Sequence, residues 1–442
     1  MFENKTKQEA TKQILDLVRE YHDKYMVRTP WQDGERINYA GRVFDADEMV
    51  NLADSTLEFW LTSGKYTERF EKELGKYLNL PYVSLVNSGS SANLLAFMTL
   101  TSPLLKERQI KRGDEVISVA CGFPTTITPI LQYGAVPVFV DVSLETGNID
   151  VNMLEKALSP KTKAVMLAHS LGNPFDIKAI SEFCEKYNLW LIEDNCDALG
   201  SEYTLDGKTR KTGTFGDIGT SSFYPPHHLT MGEGGAVYTK SALLNRIIRS
   251  FRDWGRDCYC PSGKDDTCGC RFSKQYGELP LGFDHKYTYS HFGYNLKATD
   301  MQAAIGCAQL KKLESFTKKR RENFEYLKAK LESTQDKLLL PQATENSNPS
   351  WFGFLMLCKD GVSRNDLVLA LEKSGIQTRA LFAGNIIKHP CFDSIRNSDA
   401  YRVVGELTNT DKMMNNAFWV GVYPGMSSAM LDRISKVIIE NL

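Results

Sequence analysis

From about residue 80 the chain repeats one pattern: a short apolar run, a polar or glycine-rich turn, then a stretch with helical spacing. Tyr82–Val86 is such a run, closed by Asn87-Ser88-Gly89-Ser90-Ser91 and followed by a helical stretch over 92–100. Residues 115–120 and 136–142 read as strands around a helical turn at 126–133. The runs at 164–168 and 190–192 flank a helical stripe of Ile177, Ile180, Phe183, Cys184 and Tyr187. Residues 220–224 and Gly235–Thr239 continue the strands. Strands alternating with helices predict βαβ units and a largely parallel sheet. Such a sheet binds ligands at the carboxyl ends of its strands, so polar residues just after each run are the candidates for function.

The flanks differ. Residues 1–60 read as helical, with Ile14, Leu17, Val18, Tyr21 and Tyr25 at helical spacing. A Gly- and Cys-rich segment, 253–290, interrupts the alternation as an insertion, and 299–331 reads as one long helix. The run Lys318-Lys319-Arg320-Arg321 on that helix reads as a solvated face. A polar link at 343–350 opens an α+β block. The expected units are therefore an N-terminal segment 1–60, a large domain 61–310 and a small C-terminal domain 311–442.

Composition removes several classes of function. Lys+Arg is 53 against 54 Asp+Glu, a net charge of −1, so the basic excess that nucleic-acid binding needs is absent. No run reaches the ~18 apolar residues of a spanning helix. The charged N-terminus lacks the apolar core of a secretory signal. A cytoplasmic protein with reduced thiols is expected, and clustered cysteines among its ten then point to metal or redox chemistry.

Three segments carry chemistry. The turn Asn87–Ser91 between strand and helix offers free backbone N–H groups at a helix start, a phosphate cradle, although a Ser-capped tight turn has the same pattern. Asp194, after Trp190-Leu191-Ile192, stands at the end of a buried strand, where a carboxylate can hold a pyridinium proton or cap a helix. Ser221-Ser222-Phe223-Tyr224-Pro225-Pro226-His227-His228 runs into Met231-Gly232-Glu233-Gly234-Gly235, sending a hydroxyl and an imidazole out of one strand.

With Phe123-Pro124-Thr125-Thr126 and Gly293-Tyr294-Asn295-Leu296, these segments resemble, in order, the vitamin B6-dependent sugar aminotransferases. The resemblance implies the aspartate-aminotransferase (type I PLP-dependent) α/β fold: a seven-stranded, mostly parallel sheet in the large domain and a smaller C-terminal α+β domain. It gives Gly89, Ser90 and Ser222 to the cofactor phosphate, with Asn295 reaching it from the other subunit of a homodimer. Asp194 would hold the pyridine nitrogen and Phe123 would stack on the ring. One position departs. The aminotransferases have a lysine five residues after the serine matching Ser222, and it binds the cofactor covalently; here it is His227. An imidazole cannot form that bond but can accept and return a proton. The swap resembles the 3-dehydratases of 3,6-dideoxysugar biosynthesis, which hold pyridoxamine 5'-phosphate (PMP) non-covalently.

Cys258-Tyr259-Cys260 and Cys268-Gly269-Cys270 lie in one polar segment, a spacing that suits a four-Cys zinc knot or an iron–sulfur cluster. The resemblance is to the iron–sulfur kind of 3-dehydratase and gives a [2Fe–2S] cluster to Cys196, Cys258, Cys260 and Cys268, with Cys270 as a rival fourth ligand. Cys121, Cys184, Cys307, Cys358 and Cys391 sit in apolar stretches and read as core or as unremarkable. The implied substrate is a nucleotide-linked 4-keto-6-deoxyhexose, CDP-linked by overall resemblance. The implied chemistry is loss of the C3 hydroxyl after His227 takes a proton from the coenzyme methylene. Completing the 3-deoxygenation needs two electrons, hence a separate NAD(P)H-dependent flavin iron–sulfur reductase. The alternatives are a glutamate-dependent aminotransferase using an unrecognised lysine, a cluster-free 3-dehydratase with a structural zinc, and a non-enzymatic coenzyme-binding scaffold.

Overall fold

The computed structural model describes residues 2–27, 29–260 and 263–442. Met1 and Arg28 of the N-terminal segment, and Pro261 and Ser262 of the Cys-rich insertion, lie outside the described residues.

Three helices open the chain: α1 (Lys7–Tyr25), α2 (Ala46–Glu58) and α3 (Lys65–Leu78). The first two start in capping boxes, Thr6 with Glu9 and Asp45 with Glu48. The helical reading of 1–60 fails between α1 and α2. There the chain passes Pro30, turns at Asp33-Gly34, and Ile37 bridges to Ile376.

The alternation then appears as β1 (Tyr82–Val86), α4 (Gly89–Thr99), β2 (Glu115–Val119), α5 (Pro124–Tyr133), β3 (Val136–Val140), a short α6 (Leu154–Ala157), β4 (Thr162–Ala168), α7 (Ile177–Lys186) and β5 (Trp190–Asp194). A small ribbon, β6 (Glu202–Leu205) and β7 (Lys208–Lys211), precedes β8 (Ile218–Ser222), β9 (Gly235–Thr239) and α8 (Ala242–Arg252). After the Cys-rich segment come α9 (Asp300–Leu310), α10 (Leu313–Lys330), β10 (Leu338–Leu339), β11 (Ser347–Asn348), β12 (Gly353–Cys358), α11 (Arg364–Lys373), β13 (Arg402–Val403), α12 (Thr408–Asn416), β14 (Ala417–Gly421) and α13 (Ser428–Glu440).

The main sheet has the order β1-β9-β8-β5-β4-β2-β3-β13. Only β9 runs against its neighbours; the other pairings are parallel. Seven strands come from residues 82–239, as the sequence reading expects. The eighth, β13, comes from far along the chain and pairs Arg402 and Val403 with Val138 and Phe139. Neighbouring strand residues face opposite cores: Val116 and Ile192 pack with α4, α5 and α8, while Ile117 and Leu191 pack with α7 and with Leu355 and Trp419. Burial on both faces explains why these strands read as unbroken apolar runs. The three-stranded sheet β10-β12-β14 works likewise: Leu355 and Leu357 join the large core, and Phe354 and Met356 join a second core with α10, α11 and α13.

Three expectations are corrected. The helix read over 299–331 is two helices, broken at Lys311 and Lys312. Lys312 Nζ is drawn to Asp45 and Glu48 at the start of α2 (2.8 and 2.6 Å), so the chain turns there. Arg320 is not on a solvated face. It is fully buried and donates to the backbone oxygens of Trp351, Phe352, Pro226 and His227, while Lys318 alone of the run is fully solvated. Cys391 is exposed, because Phe392 takes the buried place in its short turn. Among the described residues no helix is long and apolar enough to cross a membrane.

Candidate active site

A cleft of about 580 Å³ opens at the carboxyl ends of β1, β5 and β8. Gly89, Ser90, Phe123, Asp194, Cys196, Ser222 and His227, distant in sequence, all line it.

At its floor, α4 begins at Gly89, and Ser88 Oγ accepts from Ser91 N (3.0 Å). The first-turn N–H groups of Gly89 and Ser90 have no partner within the helix and face an anion site at its positive end. A Cβ on Gly89 would lie 2.4 Å from Ser222 Cβ, and one on Gly235 2.4 Å from Ser88 O. Only glycines let the helix start and the end of β8 close to this distance, and the resulting cradle fits a phosphate.

Asp194 ends β5 and is buried. Its Oδ2 accepts from Asn93 Nδ2 and Thr126 Oγ1 (both 2.7 Å), and its Oδ1 accepts from Cys196 N (3.1 Å). Asn93 is held in turn by Thr220 Oγ1 (2.7 Å). These donors fix the orientation of the carboxylate at the end of β5. Glu193, one residue earlier, points to the opposite face and takes backbone N–H bonds from Gly213, Phe215 and Gly216, so it is structural.

The loop between β8 and β9 is closed by Phe223 N→Gly234 O (2.8 Å) and Met231 N→Phe223 O (2.9 Å). His227 hangs from it into the cleft. Its Nε2 lies 3.3 Å from Asp197 Oδ1, while its Nδ1 is buried without a partner. His228 is different: its Nε2 donates to Ser350 O (2.7 Å), and burial, then the nearby Arg320 cation, hold its pKa well below the usual histidine range. His228 is therefore a neutral tether. Beneath both, burial lowers the pKa of Arg320 to about 9, with Asp197 opposing the shift.

Among the described residues lining the cleft, none is a lysine. Phe123, at the start of α5, stands exposed at the mouth with its ring 6.4 Å from Phe382.

A family model for the DegT/DnrJ/EryC1/StrS aminotransferases matches residues 43–439. The chain belongs to this family. It is 54% identical over 425 residues to the lipopolysaccharide biosynthesis protein RfbH of Salmonella typhimurium, covering 96% of this chain and 95% of the other. It is 49% identical over 434 residues to the dTDP-4-dehydro-2,6-dideoxy-D-glucose 3-dehydratase of Saccharopolyspora spinosa, covering 98% and 92%. A crystal structure of E. coli GDP-4-keto-6-deoxy-D-mannose 3-dehydratase with bound hydrated PLP matches with a TM-score of 0.80 at 30% identity, over 91% of this chain and all of that one. The α/β fold is thus that of the type I PLP enzymes, and the chain is an enzyme.

Other residues given roles by the family resemblance lie elsewhere. Asn295 is exposed, accepts from Lys297 Nζ (2.7 Å) and does not line this cleft. Cys258 and Cys260 line a separate cavity with α3 and with Arg249 and Arg252. Cys268 neighbours Cys270 and His285. Cys196 stays in the cleft, where burial, then the Asp194 charge, push its thiol pKa well up. Within one chain, then, Cys196 and the loop cysteines do not share a cavity.

The structure also adds residues that the sequence reading passed over. Asn93, Thr126 and Asp197 lie within or beside the quoted segments, and their nearness was the available signal. Tyr39, Arg379 and Trp419 line the outer cleft from three distant segments: Arg379 sits 4.1 Å over the Tyr39 ring, which packs edge-on at 5.2 Å against Trp419. No motif announces them.

Proposed function

We propose that this enzyme is a PMP-dependent 3-dehydratase that removes the C3 hydroxyl of a nucleotide-linked 4-keto-6-deoxyhexose, with CDP as the nucleotide. The observation that carries the reading is a cleft combining a phosphate cradle, a strand-end carboxylate and an imidazole, with no lysine among its described walls. The related 3-dehydratases support it. The CDP assignment rests on overall sequence resemblance, since the named relatives act on dTDP- and GDP-linked sugars.

Gly89, Ser90 and Ser222 would hold the cofactor phosphate, Phe123 would cover the ring face, and Asp194 would keep the ring nitrogen protonated. When bound, the cofactor supplies an amine for the C4 ketone and a ring that accepts an electron pair. His227 would take and return the methylene proton, and Asp197, 3.3 Å from Nε2, would stabilise the imidazolium, much as a carboxylate supports a general-base histidine elsewhere. Asn295 would act in the partner's cleft; its exposure and that of neighbouring Phe292 suit such a reach across a homodimer. A [2Fe–2S] centre in the Cys-rich segment would relay single electrons from a separate NAD(P)H-dependent flavin iron–sulfur reductase. Cys258, Cys260 and Cys268 fit a thiolate-held centre, whereas Cys196 of the same chain lies apart from them.

The test is proton exchange and turnover with CDP-, dTDP- and GDP-linked 4-keto-6-deoxyhexoses. The expected result is PMP-dependent loss of the C3 hydroxyl, fastest with the CDP sugar, and no net amino transfer from glutamate to the sugar. An aminated product would replace this reading with that of an aminotransferase.

A further inference from the structure

The basic run on α10 hides one side chain that reaches the cleft from behind. Arg320 is 2% exposed, on the inner face of the helix. Its guanidinium lies between two stretches of backbone. Nη1 donates to Trp351 O and Phe352 O (3.2 and 3.5 Å), just before β12. Nη2 donates to Pro226 O and His227 O (3.5 and 3.4 Å), in the loop between β8 and β9. The Phe352 ring is 5.8 Å from Arg320 Cζ and 5.4 Å from the His227 ring, and both Phe352 and His227 line the cleft.

As a structural tie this arrangement is costly. Among the described residues the guanidinium bonds only carbonyls and no carboxylate, and its Nε is buried without a partner. Burial lowers its pKa to about 9, and Asp197, the carboxylate facing His227, opposes that shift. A buried group left so incompletely paired calls for a reason. Asn323, three residues on, shows what a purely structural tie needs: its neutral Nδ2 donates to Val422 O and Tyr423 O (3.3 and 2.9 Å). That amide holds one stretch of backbone. A guanidinium is a rigid planar fork whose arms hold two at once. His228 also joins the two stretches, through Ser350 O (2.7 Å), but only beside the cleft residues. Arg320 adds the hold on residues 227 and 352 themselves.

We propose that Arg320 is a positioning residue for the cleft base: its two arms fix the backbone of His227 and Phe352 together, and so set where the imidazole stands in the cleft. This rests on the reading of His227 as the base.

The test compares Arg320→Lys and Arg320→Gln with Asn323→Ala and His227→Asn in the full-length, PMP-loaded enzyme. Four quantities are read: methylene proton exchange with the nucleotide sugar, KM, cofactor affinity and melting temperature. Imidazole NMR signals of the histidine-labelled protein, seven in all, are read beside them, and the His227 signal is assigned by its loss in His227→Asn. Lysine and glutamine each keep a donor but reach one stretch only. In either variant exchange should fall roughly 10- to 100-fold, the loss a misplaced catalytic group gives, with KM and cofactor affinity unchanged and the His227 signal shifted or broadened. Asn323→Ala should lower the melting temperature without slowing exchange or moving that signal. Exchange held in both Arg320 variants, or lost equally in Asn323→Ala, overturns the inference and leaves the reading of the base standing. Exchange that survives His227→Asn overturns that reading and the inference with it.

Discussion

The cleft and the Cys-rich segment are both candidate reactive sites, yet they are built oppositely. The cleft groups stand at the ends of β5 and β8 and the start of α4, with apolar cores on both faces of the sheet behind them. Among its described residues the Cys-rich segment has almost no regular structure. It is fastened by polar pairs such as the two-pronged Arg271–Asp284 contact (3.0 and 2.8 Å), and leaves Phe272 and Leu281 exposed. A site on sheet ends is already ordered before its ligand arrives. A thiol-rich loop without a core would take much of its folding energy from a bound metal.

The largest expected effect probes the chemistry on the ordered side. His227→Asn should slow methylene proton exchange by about 10³-fold while cofactor absorbance and the melting temperature hold, because the loop around it is fixed by backbone bonds. Retained exchange would move the base elsewhere. Next, chelating the proposed metal should raise amide hydrogen exchange across residues 256–290 and leave 190–195 and 218–222 protected. Equal loosening of both regions would erase the contrast drawn here.

Arg320→Met should destabilise the protein by about 2 kcal/mol, read in denaturant melts, since it strands buried carbonyls of Trp351 and of the His227 loop. The loss should come with slower proton exchange. Asp197→Asn should cost roughly tenfold in exchange rate, because it removes the carboxylate facing Nε2, and should also lower stability, because it removes the charge that supports the buried Arg320 cation.

The smallest effect is in pH dependence. His228 has a folded pKa well below its ordinary 6.5, so below that value the unfolded chain binds a proton that the folded one does not. Its contribution is therefore complete above about pH 6.5 and is lost as pH falls, by up to about 1.4 kcal/mol per pH unit. His228→Asn should flatten that part of the stability profile. An unchanged slope would mean that another group carries it.

The parallel sheet and most of the cleft are legible in the sequence. Each strand announces itself by an apolar run, and a strand end places the next polar residue at the ligand edge. Asp194, Ser222 and His227 were legible for that reason, and the missing lysine was legible by position. What meets across the chain depends on how the elements pack. Arg320 looks like one more surface cation in a basic run, yet helix rotation turns it inward beneath His227. The break at Lys312 depends on Glu48, far away in sequence. Tyr39 and Arg379 carry no spacing rule. Local pattern encodes which face of an element is apolar. It does not encode which distant polar groups that packing brings within a few ångströms, and those meetings set the second tier of this enzyme's chemistry.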